Sequence, residues 1–209
     1  MALSTYAELQ AAIADHLDRS GLDSQIPDFI RIAEARMQRK LRVQWMENFT
    51  SSIENGSPLN VTGIANFLTP KMISVTVSGE QIILNYVPPS VFVARYPFGS
   101  NGGTPPIEYT EIANNIFVGP DNGSAYTWTI WYYQIIPPLS STPSNWLLLR
   151  HPDVYLYGSL IAAEMYLKDP QEMPKYIAMY EQGLKDIQDE EIKDRPRGTA
   201  AQFNEMGAV

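Results

Sequence analysis

Few side chains in this sequence are of the types that usually carry catalysis. The chain has no cysteine and only two histidines, His16 and His151. The lack of cysteine excludes thiolate nucleophiles, disulfides and cysteine-liganded zinc, and two isolated histidines cannot build a histidine-based metal centre. A site made of carboxylates alone is not favoured by the acidic run Asp189-Glu190-Glu191, because adjacent helix positions point in different directions. We therefore expect neither a metal nor a cofactor.

Both histidines have structural interpretations. His16 lies beside the apolar stripe of a predicted helix. The tripeptide His151-Pro152-Asp153 also occurs in J-domain co-chaperones, where it follows a basic helix, but here the apolar segment 146–149 precedes it. Proline is favoured at the first position of a helix, and an acidic residue in the first turn interacts well with the helix dipole. The tripeptide therefore indicates the start of a helix.

Hydrolase and nucleotide-binding motifs are lacking as well. No Gly-x-Ser-x-Gly occurs, and the segment Asn101-Gly102-Gly103 has no lysine of the kind that binds phosphate in a Walker motif. A glycosidase needs two carboxylates facing one cleft, for which Glu108 and Glu111 are candidates on sequence alone. Since no motif supports turnover, we expect the protein not to be an enzyme.

The charge balance bears on the partners that the chain can bind. It has 209 residues, 44% of them hydrophobic and 18% charged, with a formal net charge of −8. An acidic chain does not attract phosphate, which disfavours stable nucleic-acid binding through the bulk of the surface. No apolar run approaches the ~20 residues of a membrane span, and the N-terminal residues lack the features of a signal peptide. We expect assembly in a cytoplasm, without a membrane.

Two helices are predicted at the N-terminus. The first covers residues 6–19 and begins with a capping box formed by Thr5 and Glu8. The second begins at residue 24 or 25, has Pro27 in its first turn, and carries an apolar stripe from Ile26 to Trp45. The short loop between them favours an antiparallel hairpin.

From residue 49 to about residue 136 the pattern is typical of β-structure. The candidate strands are residues 72–77, 81–87, 107–112, 115–118 and 126–136. Ser78-Gly79-Glu80 and Ala113-Asn114 are short enough to close hairpins, and residues 91–96 could form one helical turn capped by Ser90. The last strand has large side chains on both alternating faces: Tyr126, Trp128, Ile130 and Tyr132 on one, Trp131 and Tyr133 on the other. This strand is therefore expected either to be covered on both faces or to have one face docked on a partner.

An irregular connector at residues 137–145 leads to two further helices, at residues 152–168 and 172–192. We predict an α+β fold, in which two helical hairpins form a four-helix bundle with an inserted antiparallel β domain. The predicted domains are residues 1–48 (first hairpin), 49–145 (β domain), 146–194 (second hairpin) and 195–209 (an extended C-terminal arm).

The two predicted hairpins carry opposite charges on their outer faces. The second helix has five basic residues: Arg31, Arg36, Arg39, Lys40 and Arg42. The last helix ends in five acids: Asp186, Asp189, Glu190, Glu191 and Asp194. The basic face could be solvated, contact nucleic acid, or pair with the acidic face. Pairing between chains would be heterologous, the kind of contact that closes into rings.

Six different motifs follow one another along the chain. They are Thr5-Tyr6-x-Glu8-Leu9, then Ile26-Pro27-x-Phe29-Ile30-x-x-Ala33-Glu34-x-Arg36-Met37-x-Arg39-x-Leu41-Arg42, Pro106-x-x-Tyr109, Tyr132-Tyr133-x-x-Ile136-Pro137-x-Leu139-Ser140, Asn145-Trp146-Leu147-Leu148, and Pro152-Asp153-x-Tyr155-x-Tyr157-Gly158-x-Leu160. Together, over about residues 4–190, they resemble the head-to-tail adaptor (connector) proteins of short-tailed bacteriophages, a group that includes the tail tubular protein A-like adaptors.

The resemblance implies a structural protein of the virion. Such adaptors form a ring, typically of twelve copies, that joins the portal protein above to the tail or nozzle proteins below, and double-stranded DNA passes through it. An acidic channel wall would repel DNA instead of binding it. The C-terminal arm commonly docks on the portal, which makes Arg195, Arg197 and Phe203 the candidate docking residues. The inter-subunit ion-pair surface would comprise Arg36, Arg39, Arg42, Asp186, Asp189 and Glu190.

One alternative comes from another class of protein. Trp128, Trp131 and Tyr132 could form a platform on which sugar rings stack, as in a carbohydrate- or receptor-binding β module of a phage tail.

Overall fold

The computed structural model describes residues 3–18, 21–55, 57–97, 104–121, 123–168 and 171–194. The chain divides into two compact units, which are Met1–Gln44 with Ile136–Val209 (the helical unit) and Trp45–Ile135 (the β unit). The described residues form helices α1 (Tyr6–Leu17), α2 (Ile26–Lys40), α3 (Pro89–Arg95), α4 (Trp146–Arg150), α5 (Pro152–Leu167) and α6 (Met173–Asp194). The strands are β1 (Glu47–Asn55), β2 (Leu59–Asn60), β3 (Phe67–Val77), β4 (Glu80–Ile83), β5 (Asn85–Tyr86), β6 (Glu108–Ile112), β7 (Asn115–Gly119) and β8 (Ala125–Gln134). The α+β class is confirmed.

Helix α1 begins as the sequence predicts. The Glu8 amide donates to Thr5 Oγ1 at 3.3 Å, and the Thr5 amide donates to Glu8 Oε2 at 3.0 Å. Both donors would otherwise lack a partner inside the helix, so the predicted capping box is confirmed. Ser4 adds a hydroxyl and an amide donor to the same carboxylate, and these hydrogen bonds lower the pKa of Glu8.

Removing the Thr5 hydroxyl should weaken this helix start. We expect Thr5→Ala to lower the free energy of unfolding by about 1 kcal/mol, because the Glu8 amide then loses its acceptor. Thr5→Ser keeps the hydroxyl and is the matched control. The measurement is urea denaturation followed by circular dichroism at 222 nm; equal midpoints for the two variants would contradict the capping role.

Helix α2 ends earlier than its apolar stripe indicates. The stripe continues to Trp45, but the helix stops at Lys40 and Leu41 is extended. The Arg42 guanidinium donates to the carbonyl oxygens of Gln38 and Leu41, at 2.8 and 2.5 Å, and so satisfies acceptors at the helix end. Trp45 lies in a short 3₁₀ turn, Gln44–Met46, and about half of it is exposed. The prediction that Trp45 lies on the apolar stripe of the second helix was wrong.

Helix α5 is central to the helical unit. It contacts α1, α2, α4 and α6, and almost every residue from Val154 to Ala163 is buried. It begins at Pro152, which confirms that His151-Pro152-Asp153 marks a helix start. The preceding short helix α4 was not predicted; the Asn145 side chain caps it by accepting from the Leu148 amide at 2.9 Å.

The connector (residues 137–145) and the preceding Ile136 are bound to α2 through backbone amides. The Ile136 amide donates to Gln38 Oε1 at 2.7 Å, and the Leu139 amide donates to Glu34 Oε1 at 2.8 Å. Gln38 and Glu34 are one helical turn apart, so both acceptors face the same side of α2. Asn145 Nδ2 donates to the Pro137 carbonyl and to the Tyr155 hydroxyl at 2.8 and 2.7 Å. This irregular segment therefore has a specific path.

The described residues of the β unit form two four-stranded sheets. The strand orders are β1-β8-β3-β4 and β2-β7-β6-β5. The pairs are antiparallel, apart from the parallel pair β5 and β6. The hairpin turns at Ser78-Gly79 and Ala113-Asn114 have positive φ at both residues, as tight hairpins require. Both predicted hairpins are thus confirmed.

The two sheets share one hydrophobic core. Strand β8 contributes Trp128, Ile130 and Tyr132 to it, which confirms the predicted alternation along this strand. The other sheet contributes residues such as Ile116 and Val118. The burial is extensive, since Trp128 is only 1% exposed.

Other details of the β prediction were wrong. Strand β1 was not predicted, although it pairs with β8 along its full length. The predicted strand 81–87 is two strands, β4 and β5, which belong to different sheets. Helix α3 begins at Pro89 without a side-chain cap, so Ser90 lies inside the helix instead of capping it.

Candidate interaction surfaces

An open groove runs between α2, α5 and α6 in the helical unit; we call it the α2–α5–α6 groove. It consists of two adjoining cavities of about 500 and 330 Å³, which share Arg36 and Met165. Its apolar side chains are Phe29 and Ile32 from α2, Ile161, Ala162, Met165 and Tyr166 from α5, and Met173, Ile177 and Tyr180 from α6. The sequence places them there because residues three or four apart share a helix face.

The rim of the groove is predominantly basic. Arg31, Arg36, Arg39 and Lys40 of α2 line it, against the acids Asp28 and Glu181. Arg36 Nη2 lies 3.4 Å from Met165 Sδ, at the point where the two cavities adjoin. Two members of the predicted ion-pair surface, Arg36 and Arg39, therefore stand beside exposed apolar side chains.

A glycine allows the three helices to approach one another. A Cβ atom at Gly158 would lie 3.0 Å from the Tyr180 ring and 3.2 Å from the Ala33 Cβ. Larger side chains at this position of α5 would push α2 or α6 away. Gly158 belongs to the sequence motif Tyr155-x-Tyr157-Gly158. The close approach of Tyr180 and Ala33 is a physical reason for a glycine at this position.

The acidic end of α6 is partly engaged within its own chain. Glu190 accepts from Arg150 Nη2 at 2.9 Å and lies 3.3 Å from His151 Nε2. Burial lowers the pKa of His151, while the nearby carboxylates of Glu190 and Asp153 oppose that shift. Glu191 accepts from the Gln44 amide at 2.8 Å. Arg42, at the end of α2, is likewise occupied by backbone carbonyls.

A second face of α6 carries acids that lie away from the groove. Met179, Gln182, Asp186 and Asp189 follow one another at spacings of three and four residues, so they form one ridge, which we call the α6 ridge. Gln182 Nε2 donates to Asp186 Oδ1 at 2.7 Å. Met179 is 46% exposed.

The predicted sugar-stacking platform does not form. Trp128 and Tyr132 lie in the core of the β unit, 1% and 4% exposed, and cannot contact a ligand from solution. Trp131 lies on the opposite face of β8, as the alternation requires. The three rings are therefore divided between two faces of the sheet.

Glu108 and Glu111 do not share a cleft. Three positions apart on β6, they point to opposite faces of the strand. Glu108 pairs with Arg95 and accepts from the Tyr96 hydroxyl. Glu111 lines a separate cavity beside the Ala113-Asn114 turn, where burial raises its pKa. This geometry does not supply the facing carboxylates of a glycosidase.

The comparisons with known proteins agree with these observations. Residues 4–202 match the sequence model of a family described as SU10 adaptor protein. The chain belongs to this family. The resemblance to phage head-to-tail adaptors is thereby confirmed, and the protein is a structural adaptor of the virion. A search of curated proteins finds no match to this adaptor.

Within the described ranges no three histidine, aspartate or glutamate side chains are grouped so as to hold a metal ion. No helix in the described part of the adaptor is long and apolar enough to cross a bilayer. Arg195, Arg197 and Phe203, the predicted docking residues, lie outside the described residues.

The sequence indicated the basic part of the groove and missed the apolar part. Met165 and Tyr166 belong to the broad apolar surface of α5, yet each is 57% exposed. The available signal was the breadth of the apolar surface of α5, which exceeds what one buried face requires.

Proposed function

We propose that this adaptor is one subunit of a ring of twelve copies that joins the portal to the tail and continues the DNA channel. The family match over nearly the whole chain carries this proposal. The opposed charges of α2 and α6 support it, because contacts between two different faces of identical subunits form a ring when the rotation between subunits closes.

The ring contact would use ion pairs between α2 of one subunit and α6 of the next. Arg36 and Arg39 would form the basic side, with Asp186 and Asp189 on the acidic side. Arg42 and Glu190 complete the proposed set, although each also has a partner in its own chain. In our proposal the two helical hairpins form a four-helix bundle, and the β unit is inserted between them in the sequence.

The ends of the ring would have different partners. The C-terminal arm, residues 195–209, would dock on the portal through Arg195, Arg197 and Phe203, and the β domain would face the tail or nozzle proteins. A segment that orders on binding can cover a large partner surface. Because each subunit has a net charge of −8, an acidic channel would let DNA pass without specific binding. Assembly would take place in the host cytoplasm.

A binding experiment with isolated portal rings tests this function. We expect the full chain to bind portal rings with twelve adaptors per portal, measured by mass photometry and electron microscopy. A chain shortened to residues 1–194 should lose most of this binding, and the triple variant Arg195→Ala, Arg197→Ala, Phe203→Ala should weaken it at least about tenfold.

Circular dichroism of the shortened chain is the control, since it should retain the helical signal of the full chain. Failure of the full chain to bind portal would reject the adaptor role proposed here. Binding of the shortened chain with undiminished affinity would reject the arm as the docking element. In virions, density for this chain away from the portal–tail junction would also contradict the proposal.

A further inference from the structure

The α2–α5–α6 groove leaves a continuous apolar surface exposed. Ile32 is 43% exposed, and Met165 and Tyr166 are each 57% exposed. These three side chains line one cavity with Phe29, whose ring centroid lies 5.5 Å from that of Tyr166. Large contiguous apolar patches rimmed by polar groups are characteristic of binding surfaces. The groove therefore has the form of a site for a partner's side chains.

The charges around the groove restrict the occupant. Arg31, Arg39 and Lys40 have no ion-pair partner among the described residues, whereas the whole chain is acidic. An occupant with both apolar side chains and carboxylates would cover the floor and neutralise the rim. A basic occupant would add like charges beside cations that are already unpaired, which is unfavourable.

The α6 ridge has the matching composition. It presents one exposed thioether, Met179, followed by Asp186 and Asp189 on the same helix face. Lys175 precedes them on this face, paired with Glu172 at 3.2 Å, and Lys193 follows them. Methionine adapts its shape to apolar cavities because its side chain is unbranched and flexible. When Met179 enters the groove with α6 of the second copy parallel to α2, Asp186 lies seven residues further along, about 10 Å, which matches the spacing from Ile32 to Arg39.

The ridge cannot reach the groove of its own chain. Ile177 and Tyr180 face the groove from α6, and Met179 lies about 200° around the helix from Ile177. Groove and ridge are thus on different faces of one helix. A contact between them has to involve two copies, and each copy keeps one free groove and one free ridge for the next.

We propose that the α2–α5–α6 groove of one subunit receives the α6 ridge of a second copy of this chain. Met179 contacts the apolar floor beside Met165 and Ile32, and Asp186 pairs with Arg39. This contact rests on the proposed ring and identifies the surfaces that would build it. It adds to the ion pairs an apolar component that salt does not screen.

The absence of cysteine from the sequence permits a direct test in the full-length chain. Met165→Cys places a thiol in the groove and Met179→Cys places one on the ridge. A short bismaleimide is added to the proteins alone and in the presence of isolated portal rings. We expect little cross-linking of either single variant, heterodimers from an equimolar mixture, and a ladder of oligomers from the double variant. The matched control pairs Met179→Cys with Ala11→Cys on the exposed face of α1 and should give no ladder.

Charge exchange provides a second readout. Arg39→Glu and Asp186→Arg should each lower the yield of the 165–179 cross-link about tenfold, and the two substitutions together should restore most of it. Thermal melting of each variant establishes that the fold is retained. Recovery in the combined variant cannot arise from unfolding, so it separates a lost contact from a lost fold.

The outcomes distinguish this contact from the proposed function. Rings on the portal without the 165–179 cross-link would overturn the groove–ridge contact and leave the adaptor function standing. Cross-linked homodimers of Met165→Cys, or a cross-link from the groove to a portal cysteine, would assign the groove to another occupant and overturn the contact. If no assembly forms on the portal, both proposals fail.

Discussion

Replacing Trp128 with alanine is expected to lower the free energy of unfolding by about 3–5 kcal/mol. This ring is the largest fully buried side chain in the described part of the β unit, and it packs edge-on against Tyr126 at a centroid distance of 6.1 Å. Alanine would leave a large cavity between the two sheets. The sheets cannot approach each other to close this cavity without disturbing the strand pairs on either side. Urea denaturation followed by far-ultraviolet circular dichroism measures the change.

Trp131→Ala is the matched control. It removes the same ring from a position three residues along the same strand but on the other face, where it is only partly buried. We expect a loss of about 1 kcal/mol. Similar losses for both variants would contradict the assignment of Trp128 to the core and Trp131 to the outer face.

The second large effect concerns the connector. Glu34→Ala should cost about 1–3 kcal/mol of unfolding free energy, because the Leu139 amide loses its acceptor in a partly buried position. The Tyr155 hydroxyl also loses its hydrogen bond to Glu34. Glu34→Gln retains an oxygen that can accept from Leu139, so this variant should keep the stability that the alanine variant loses. The midpoint of thermal unfolding at pH 7 compares them.

Glu34 also makes the free energy of unfolding depend on pH, and the direction of its pKa shift gives the sign. Burial is the main cause that raises the pKa of Glu34 above its ordinary value of 4.5, although the Leu139 and Tyr155 hydrogen bonds oppose it. The folded chain therefore binds this proton more readily than the unfolded chain, and the ionised carboxylate costs stability above the raised pKa. We expect Glu34→Gln to be more stable than the original chain at pH 7.

As the pH falls through the raised pKa toward 4.5, this advantage should shrink, since Glu34 itself becomes neutral. Other carboxyls, such as Glu111, are common to both proteins and cancel in the difference. An advantage that grows as the pH is lowered would show that the hydrogen bonds outweigh burial.

Much of the helical unit could be predicted from the sequence, because its signals are local. The capping box at Thr5 and the proline at position 152 fix two helix starts independently of the rest of the fold. The end of α2 could not be predicted in this way. Neither glycine nor proline follows Lys40, and the helix ends where the Arg42 side chain turns back onto its carbonyls.

Strand β1 was missed for a related reason. Its residues from Asn48 to Ile53 are mostly small and polar, and it places Phe49 and Ile53 in solvent, 64% and 75% exposed. Such a sequence shows no apolar face toward a core. Strand β1 forms because its full length pairs with β8, a partner some eighty residues away along the chain.

The basic residues of the α2–α5–α6 groove could be predicted from the sequence, and its apolar residues could not. The basic residues of α2 stand out in the sequence because little acid accompanies them. The apolar floor of the groove does not, since Met165 and Ile177 have ordinary helical spacing. Whether a helical methionine is buried depends on how closely the neighbouring helices approach, and that is determined at Gly158 by contacts from two other helices.

The helical unit consists of two chain segments that flank the whole β unit. This order has a consequence for synthesis on the ribosome. Helix α2 is made before α5, its main partner, with about 110 residues between them, and translation at roughly 5–20 residues per second takes on the order of ten seconds to bridge that gap. During this interval Phe29, Ile30 and Met37 have no α5 to cover them. The nascent N-terminal hairpin therefore exposes apolar side chains to aggregation until α5 has been synthesised.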